Sequence, residues 1–136
     1  MREFLTVVLM MVVMVGCIWV RGESKSVEKT FTWTATGDDG TLGSAEGNVL
    51  RMSTDADSLV YHFDHCASIP VTITPSSAGT PEQYATTIEV TEGVTYYFMM
   101  KAFDDAGNWS GPGNLLVRSW NDTIAPAAIL DLNFLE

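Results

Sequence analysis

Positive charge is scarce in this chain of 136 residues, where seven lysines and arginines stand against seventeen aspartates and glutamates. Arg2 and Arg21 flank an N-terminal apolar run, and beyond residue 21 five basic residues face sixteen acidic ones, a net charge of −11. Such a surface repels phosphate backbones and argues against nucleic acid as a partner. Cysteine is scarcer still: Cys17 lies inside the apolar run, and only Cys66 lies beyond it. No intrachain disulfide framework is available, so a core must hold by burial alone. Histidine is limited to His62 and His65, which leaves few options for a general base, and no serine, histidine and carboxylate arrangement stands out. No phosphate loop or zinc-protease helix is present either. Nothing in the chain marks it as an enzyme.

What the chain does have, first, is a long apolar start. Residues 4–20, FLTVVLMMVVMVGCIWV, are uninterrupted by charge. At seventeen residues the run sits at the short limit of the about 17–25 needed to cross a bilayer, so it reads as an export signal before a spanning helix. Residues 1–22 are assigned to this signal helix, and the protein is expected outside the cytoplasm, secreted or held at the cell envelope. Met14 to Cys17, MVGC, resembles a bacterial lipobox in which Cys17 would be lipidated, although Met14 and the apolar Ile18-Trp19-Val20 depart from that pattern. Cleavage near Val20-Arg21-Gly22 and an uncleaved anchor are the alternatives. Any membrane contact is expected only through this signal or a lipid.

The remainder alternates apolar and polar residues in short stretches separated by turn residues. Residues 27–36, 48–54, 59–63, 71–74, 84–90, 94–103 and 114–120 are the candidate strands, about seven in all. GDDGTLGSAEG is too rich in glycine and aspartate to be other than loop, and TPSSAGTPEQ is a proline- and serine-rich connection that guards against edge pairing. No stretch beyond the signal shows helical spacing over ten or more residues. The spacing predicts an all-β antiparallel sandwich or small barrel.

Two segments carry more than pattern. FTWTATGDDGTLGSA (31–45) and VTEGVTYYFMMKAFDDAGNWS (90–110) resemble the second-strand and sixth-strand segments of fibronectin type III domains, especially those of bacterial exported proteins. The resemblance covers about residues 27–121 and implies an immunoglobulin-like sandwich, with residues 23–121 as the domain. It also implies that Trp33 fills the core, and that Tyr96, after the turn at Gly93, makes a tyrosine corner by bonding its hydroxyl back to the backbone. Glu92 stands where the family commonly has proline. The family's opening strand has little room before residue 27. Residues 122–136, DTIAPAAILDLNFLE, instead resemble a linker followed by that opening strand.

Under the resemblance, the loops after the second and sixth strands meet at one end of the sandwich. Asp38, Asp39, Asp104 and Asp105, with Asn108, would then converge, and oxygen ligands of this kind suit a weak calcium site. Alternatively these aspartates make turns by bonding their own backbone. No other cofactor is expected. His62, His65 and Cys66 in YHFDHC are ligand types for a transition metal, yet a strand would put His65 on the face opposite the other two unless the chain turns at Asp64. Trp109 is expected to pack its loop, with sugar stacking as the alternative. Asn108 and Asn121 begin glycosylation sequons that matter only in a glycosylating host.

The expected function is a non-catalytic binding or spacer module at the cell surface, facing a protein or glycan. A second expectation is head-to-tail self-association, in which AAILDLNFL of one copy fills the edge beside the tryptophan strand of the next. A third is that the chain is a fragment of a longer tandem array, and a metal carrier or enzyme comes last.

Overall fold

The computed structural model describes residues 22–121. The segments expected to be a signal helix, a lipidation site at Cys17 and a first-strand-like stretch within residues 122–136 lie outside the described residues. The described chain forms β1 (Ser24–Thr34), β2 (Gly47–Ser53), α1 (Ala56–Tyr61), a 3-10 turn (Phe63–His65), β3 (Ala67–Ile69), β4 (Pro81–Thr91), β5 (Thr95–Phe103) and β6 (Leu116–Ser119). β1 pairs with β4 in one sheet, and the other sheet has the order β3-β2-β5-β6. Every ladder is antiparallel. The expected all-β antiparallel architecture is present.

The two sheets bury apolar side chains against each other. Leu50, Ile69, Ile88, Val90, Tyr96 and Phe98 form the main cluster, with Val27 and Phe31 of β1 packed against it. Phe98 is fully buried and its ring lies 5.5 Å from that of Phe31, a contact that spans the sheets. Trp120 closes the same cluster from below, its ring 5.9 Å from Tyr96 and 6.3 Å from Phe98.

A second, smaller cluster explains why residues 96–100, YYFMM, do not alternate. α1 and the 3-10 turn lie against the outer face of the larger sheet, where Leu59, Phe63 and Met99 are buried with Val49 and Tyr97 beside them. β5 therefore has no solvent face over its middle, and a strand covered on both sides has apolar residues at successive positions. Lys101 and Arg51 rest their charged ends on the Phe63 ring, at 4.7 and 5.6 Å from its centroid.

Two strand expectations are corrected. Residues 59–63 were expected as a strand and are helix instead. Asp55 caps α1, accepting from the backbone N–H groups of Asp57 and Ser58, and Leu59 of α1 and Phe63 of the following 3-10 turn are both buried with Met99 of β5. Residues 71–74 were also expected as a strand, yet the short edge strand is β3, and the stretch that follows makes no ladder among the described residues. Pro70 and Pro75 bracket it, and proline cannot donate to a sheet.

Phe98→Ala is expected to lower stability by about 3–5 kcal/mol, and Met99→Ala by about 2–5 kcal/mol. Urea denaturation of each variant checks both values, and a loss at only one of the two positions would deny that both faces of β5 are structural.

Candidate functional site

The strand registers set which loops are neighbours. β1 and β5 both run toward the end at which Gly47 pairs with Phe103, so the loops that follow them, 35–46 and 104–115, share that end of the sandwich. This is the end to which the four acidic residues were assigned.

Each acidic pair there organises its own turn. Asp38 N–H donates to the Leu42 carbonyl at 2.8 Å, Gly37 N–H donates to that of Gly40 at 3.0 Å, and Asp39 bridges to Leu42. Gly40 and Gly43 take the left-handed conformation this tight loop requires, with φ of 69° and 75°. In the other loop, Asp104 accepts from Asn108 N–H through Oδ1 at 2.7 Å and from Asn108 Nδ2 through Oδ2 at 2.8 Å. These bonds, the Asn108 side chain first, hold the Asp104 carboxyl below its ordinary pKa. Both oxygens are thus engaged within the loop that carries them. Among the described residues, no three His, Cys, Asp or Glu side chains come together as a metal-holding group.

The same holds for YHFDHC. The 3-10 turn at Phe63–His65 bends the chain where a strand was expected, and the rings of His62 and His65 come to 6.5 Å. With Cys66 they border a shallow depression that also touches Met52 and Tyr96. Cys66 Sγ donates to the His62 carbonyl at 3.6 Å, an internal bond of the turn.

Of the residues assigned structural roles, Tyr96 and Gly93 lie at the turn into β5, whereas Trp33, expected to fill the core, belongs to neither buried cluster. Tyr96 is buried, and its hydroxyl accepts a hydrogen bond from Thr91 N–H at 3.0 Å, tying β5 back to the end of β4. Gly93, between them, has φ of 77°, and its N–H donates to the Trp120 carbonyl at 2.9 Å. Trp33 is half-buried at the far end of β1, opposite Glu82 of β4. Glu82 is itself buried, and its Oε1 accepts from Ser76 N–H at 2.6 Å, which pins the connection leading into β4. Sequence reading passed over Glu82, although the even-numbered alternation running back from Val90 and Ile88 places it on the inner face.

Two exposed features remain. On the loop end, Leu42 and Trp109 are the exposed large apolar side chains, at 71% and 51% of full accessibility. Trp109 lies beside Phe103, ring to ring at 5.2 Å, so one partner orients it while the rest of the indole meets solvent. Along one side of the sandwich, a cleft of about 390 Å³ opens between β1 and β6, reaching Phe31, Leu50, Ile88 and Phe98 at its floor. Lys29 and Arg118 also line it. Trp109 was expected to pack its loop, with sugar stacking as the alternative, and the edge beside the tryptophan strand to take an added strand; Leu42 and the floor of the cleft carried no expectation, because each depends on which elements end up adjacent.

No family model, curated protein or solved structure matches the chain.

Tyr96→Phe removes the acceptor of Thr91 N–H and is expected to cost about 1–3 kcal/mol in urea denaturation, with the native circular dichroism spectrum kept. A loss no larger than that of Tyr61→Phe, on an exposed side chain, would deny the bond a structural role. Asp104 also predicts a pH dependence. Its folded pKa lies below the ordinary 3.8, so the stability it adds is complete above that value and is lost as the pH falls through the folded pKa. Asp104→Asn is therefore expected to melt below the parent protein at about neutral pH, and the gap is expected to narrow below pH 3.8. A gap that stays constant in melting curves across that range would assign the effect to something other than the carboxylate.

Proposed function

We propose that this chain is a non-catalytic binding or spacer module of the fibronectin type III kind, carried out of the cytoplasm by residues 1–22. The bond from Thr91 N–H to the Tyr96 hydroxyl, across the glycine turn at Gly93, carries this reading. It fixes the end of one sheet to the start of a strand in the other, which is the work of a tyrosine corner. The antiparallel frame of two packed sheets is a further support.

The mechanism is presentation. The packed sheets hold the loops of one end in place, those loops are braced by internal hydrogen bonds, and they offer Leu42 and Trp109 to a partner. An indole oriented by Phe103 loses little freedom when a sugar ring or an apolar side chain covers it. The partner class is a protein or glycan at the cell surface, and the −11 charge favours a neutral or basic one.

Two measurements test the reading. In intact cells making the full chain, external protease is expected to degrade the domain while a cytoplasmic marker survives; protection until lysis would overturn the placement outside the cytoplasm. On protein and glycan arrays probed with purified chain, Trp109→Ala is expected to lower the bound signal about tenfold at an unchanged melting temperature, as loss of a central aromatic contact does. An unaltered array profile would remove the loop end as the binding surface.

A further inference from the structure

Among the described residues, the sandwich is closed along one side and open along the other. Beside β4, the connection from Pro70 to Thr80 runs along the sheet, with Thr72 Oγ1 3.3 Å from the Tyr84 hydroxyl and Ser76 bonded to Glu82. Beside β1, no strand pairs with the second edge among the described residues. The cleft between β1 and β6 lies on that open side. An eleven-residue edge that no described residue pairs, set over an apolar floor, is a template for one more strand.

We propose that residues 127–135 of a second copy of this chain occupy the β1 edge as an added strand, joining copies head to tail. This goes beyond the binding-module reading and does not depend on it. Three observations choose the occupant. The first is pattern: Ala128, Leu130, Leu132 and Phe134 alternate with Ile129, Asp131 and Asn133, so one face of the segment is apolar and fits a cleft floored by Phe31 and Phe98. At about 3.3 Å per residue, nine residues span about 30 Å, enough to pair with most of β1.

The second is charge. The cleft carries Lys29 and Arg118, two of the five basic residues beyond residue 21, whereas residues 122–136 hold Asp122, Asp131 and Glu136 and no basic residue. Lys29 matters here because it stands on the inward-facing side of β1, in phase with Val27 and Phe31, yet is exposed. An inward charge on an edge strand opposes indiscriminate pairing, and an acidic segment meets no like-charge repulsion from Lys29 and Arg118.

The third is direction. β6 ends at Ser119 opposite Thr95, and β1 begins at Ser24 opposite Thr91, so both lie at the Thr91–Thr95 turn. The backbone confirms it, since Glu92 N–H donates to the Glu23 carbonyl and Gly93 N–H to that of Trp120. A segment folding back along β1 of its own chain would start where β1 starts and run parallel to it. It could run antiparallel to β6, but that strand offers only four residues. A second copy stacked end to end brings its segment to the Thr34 end, running antiparallel to β1, the sense of every ladder in the domain and the better hydrogen-bonding one. Residues 121–126, at most about 20 Å extended, supply the crossing.

Disulfide trapping between two tagged copies tests this. Both are full chains with Cys17→Ser and Cys66→Ser; one carries Thr30→Cys on the outward face of β1, and the other a single cysteine scanned through 127–135. The two are co-expressed and oxidised, with the cysteine-free parent as blank. A cross-linked band at twice the chain mass, carrying both tags, is expected for cysteines at 129, 131 and 133. It is expected to fall at least tenfold at 130 and 132. Adding Leu132→Lys to the positive pairs, which sets a like charge against Lys29 and Arg118, is expected to abolish the band, and that residue lies outside the described domain. Cross-linking only within one chain, when both cysteines are placed together, would overturn the second-copy assignment. Cross-linking without alternation, or none at any position, would overturn the added strand.

Discussion

With Tyr96 and Phe98 turned into the interface between the sheets and Tyr97 and Met99 turned toward a helical cover, β5 is buried on both faces, and the other elements are placed by reference to it. It pairs with β2 along seven residues and with β6 along four. Its inner face meets β1 and β4, and its outer face holds α1 and the 3-10 turn. In a domain whose described residues contain one free cysteine and no disulfide, such a strand substitutes for a covalent staple, because removing its side chains would open two apolar clusters at once.

The constraint on β5 also accounts for the unevenness of the rest. At its N-terminal end the Tyr96 hydroxyl, Gly93 and Trp120 bind the sheets together. At its C-terminal end the chain passes into loops that satisfy their own polar groups, Asp104 with Asn108 and Asp38 with Leu42. Asp104 acts as a turn-former, since a carboxylate whose two oxygens already accept from Asn108 has little left to offer an ion, while Asp38 and Asp39 enter their turn through backbone bonds. The side walls differ as well. The connection into β4 covers one edge, while β1 presents the other, and the inward Lys29 marks that edge as one that limits what can pair with it.

Much of the frame was legible before the structure. Alternation placed β1, β2, β4, β5 and β6 within a few residues, and the glycine turn ahead of Tyr96 marked where the chain reverses. The misses have local causes. The strand assigned to 59–63 came from reading Leu59, Tyr61 and Phe63 as alternating, when the cap at Asp55 and the spacing of Leu59 and Phe63 fit a helical turn equally well. The strand assigned to 71–74 has the right period but lies between two prolines and finds no ladder partner. Of the candidate site, the acidic pairs lie in loops at a common end, but that Asp104 would spend both oxygens on Asn108 was beyond any spacing argument.

By itself, then, the order of residues determined the all-β character, the dependence on burial over disulfides, the turn chemistry and the charge, because these follow from local conformational preference and from counts. Only the tertiary structure decided that β5 is covered on both faces, that the Asp104 carboxylate is engaged by Asn108 of its own loop, and that a cleft lies between β1 and β6. Those outcomes depend on which elements become neighbours across long separations in the chain. Neighbourhood of that kind is set by the packing of the whole core, which no single stretch encodes.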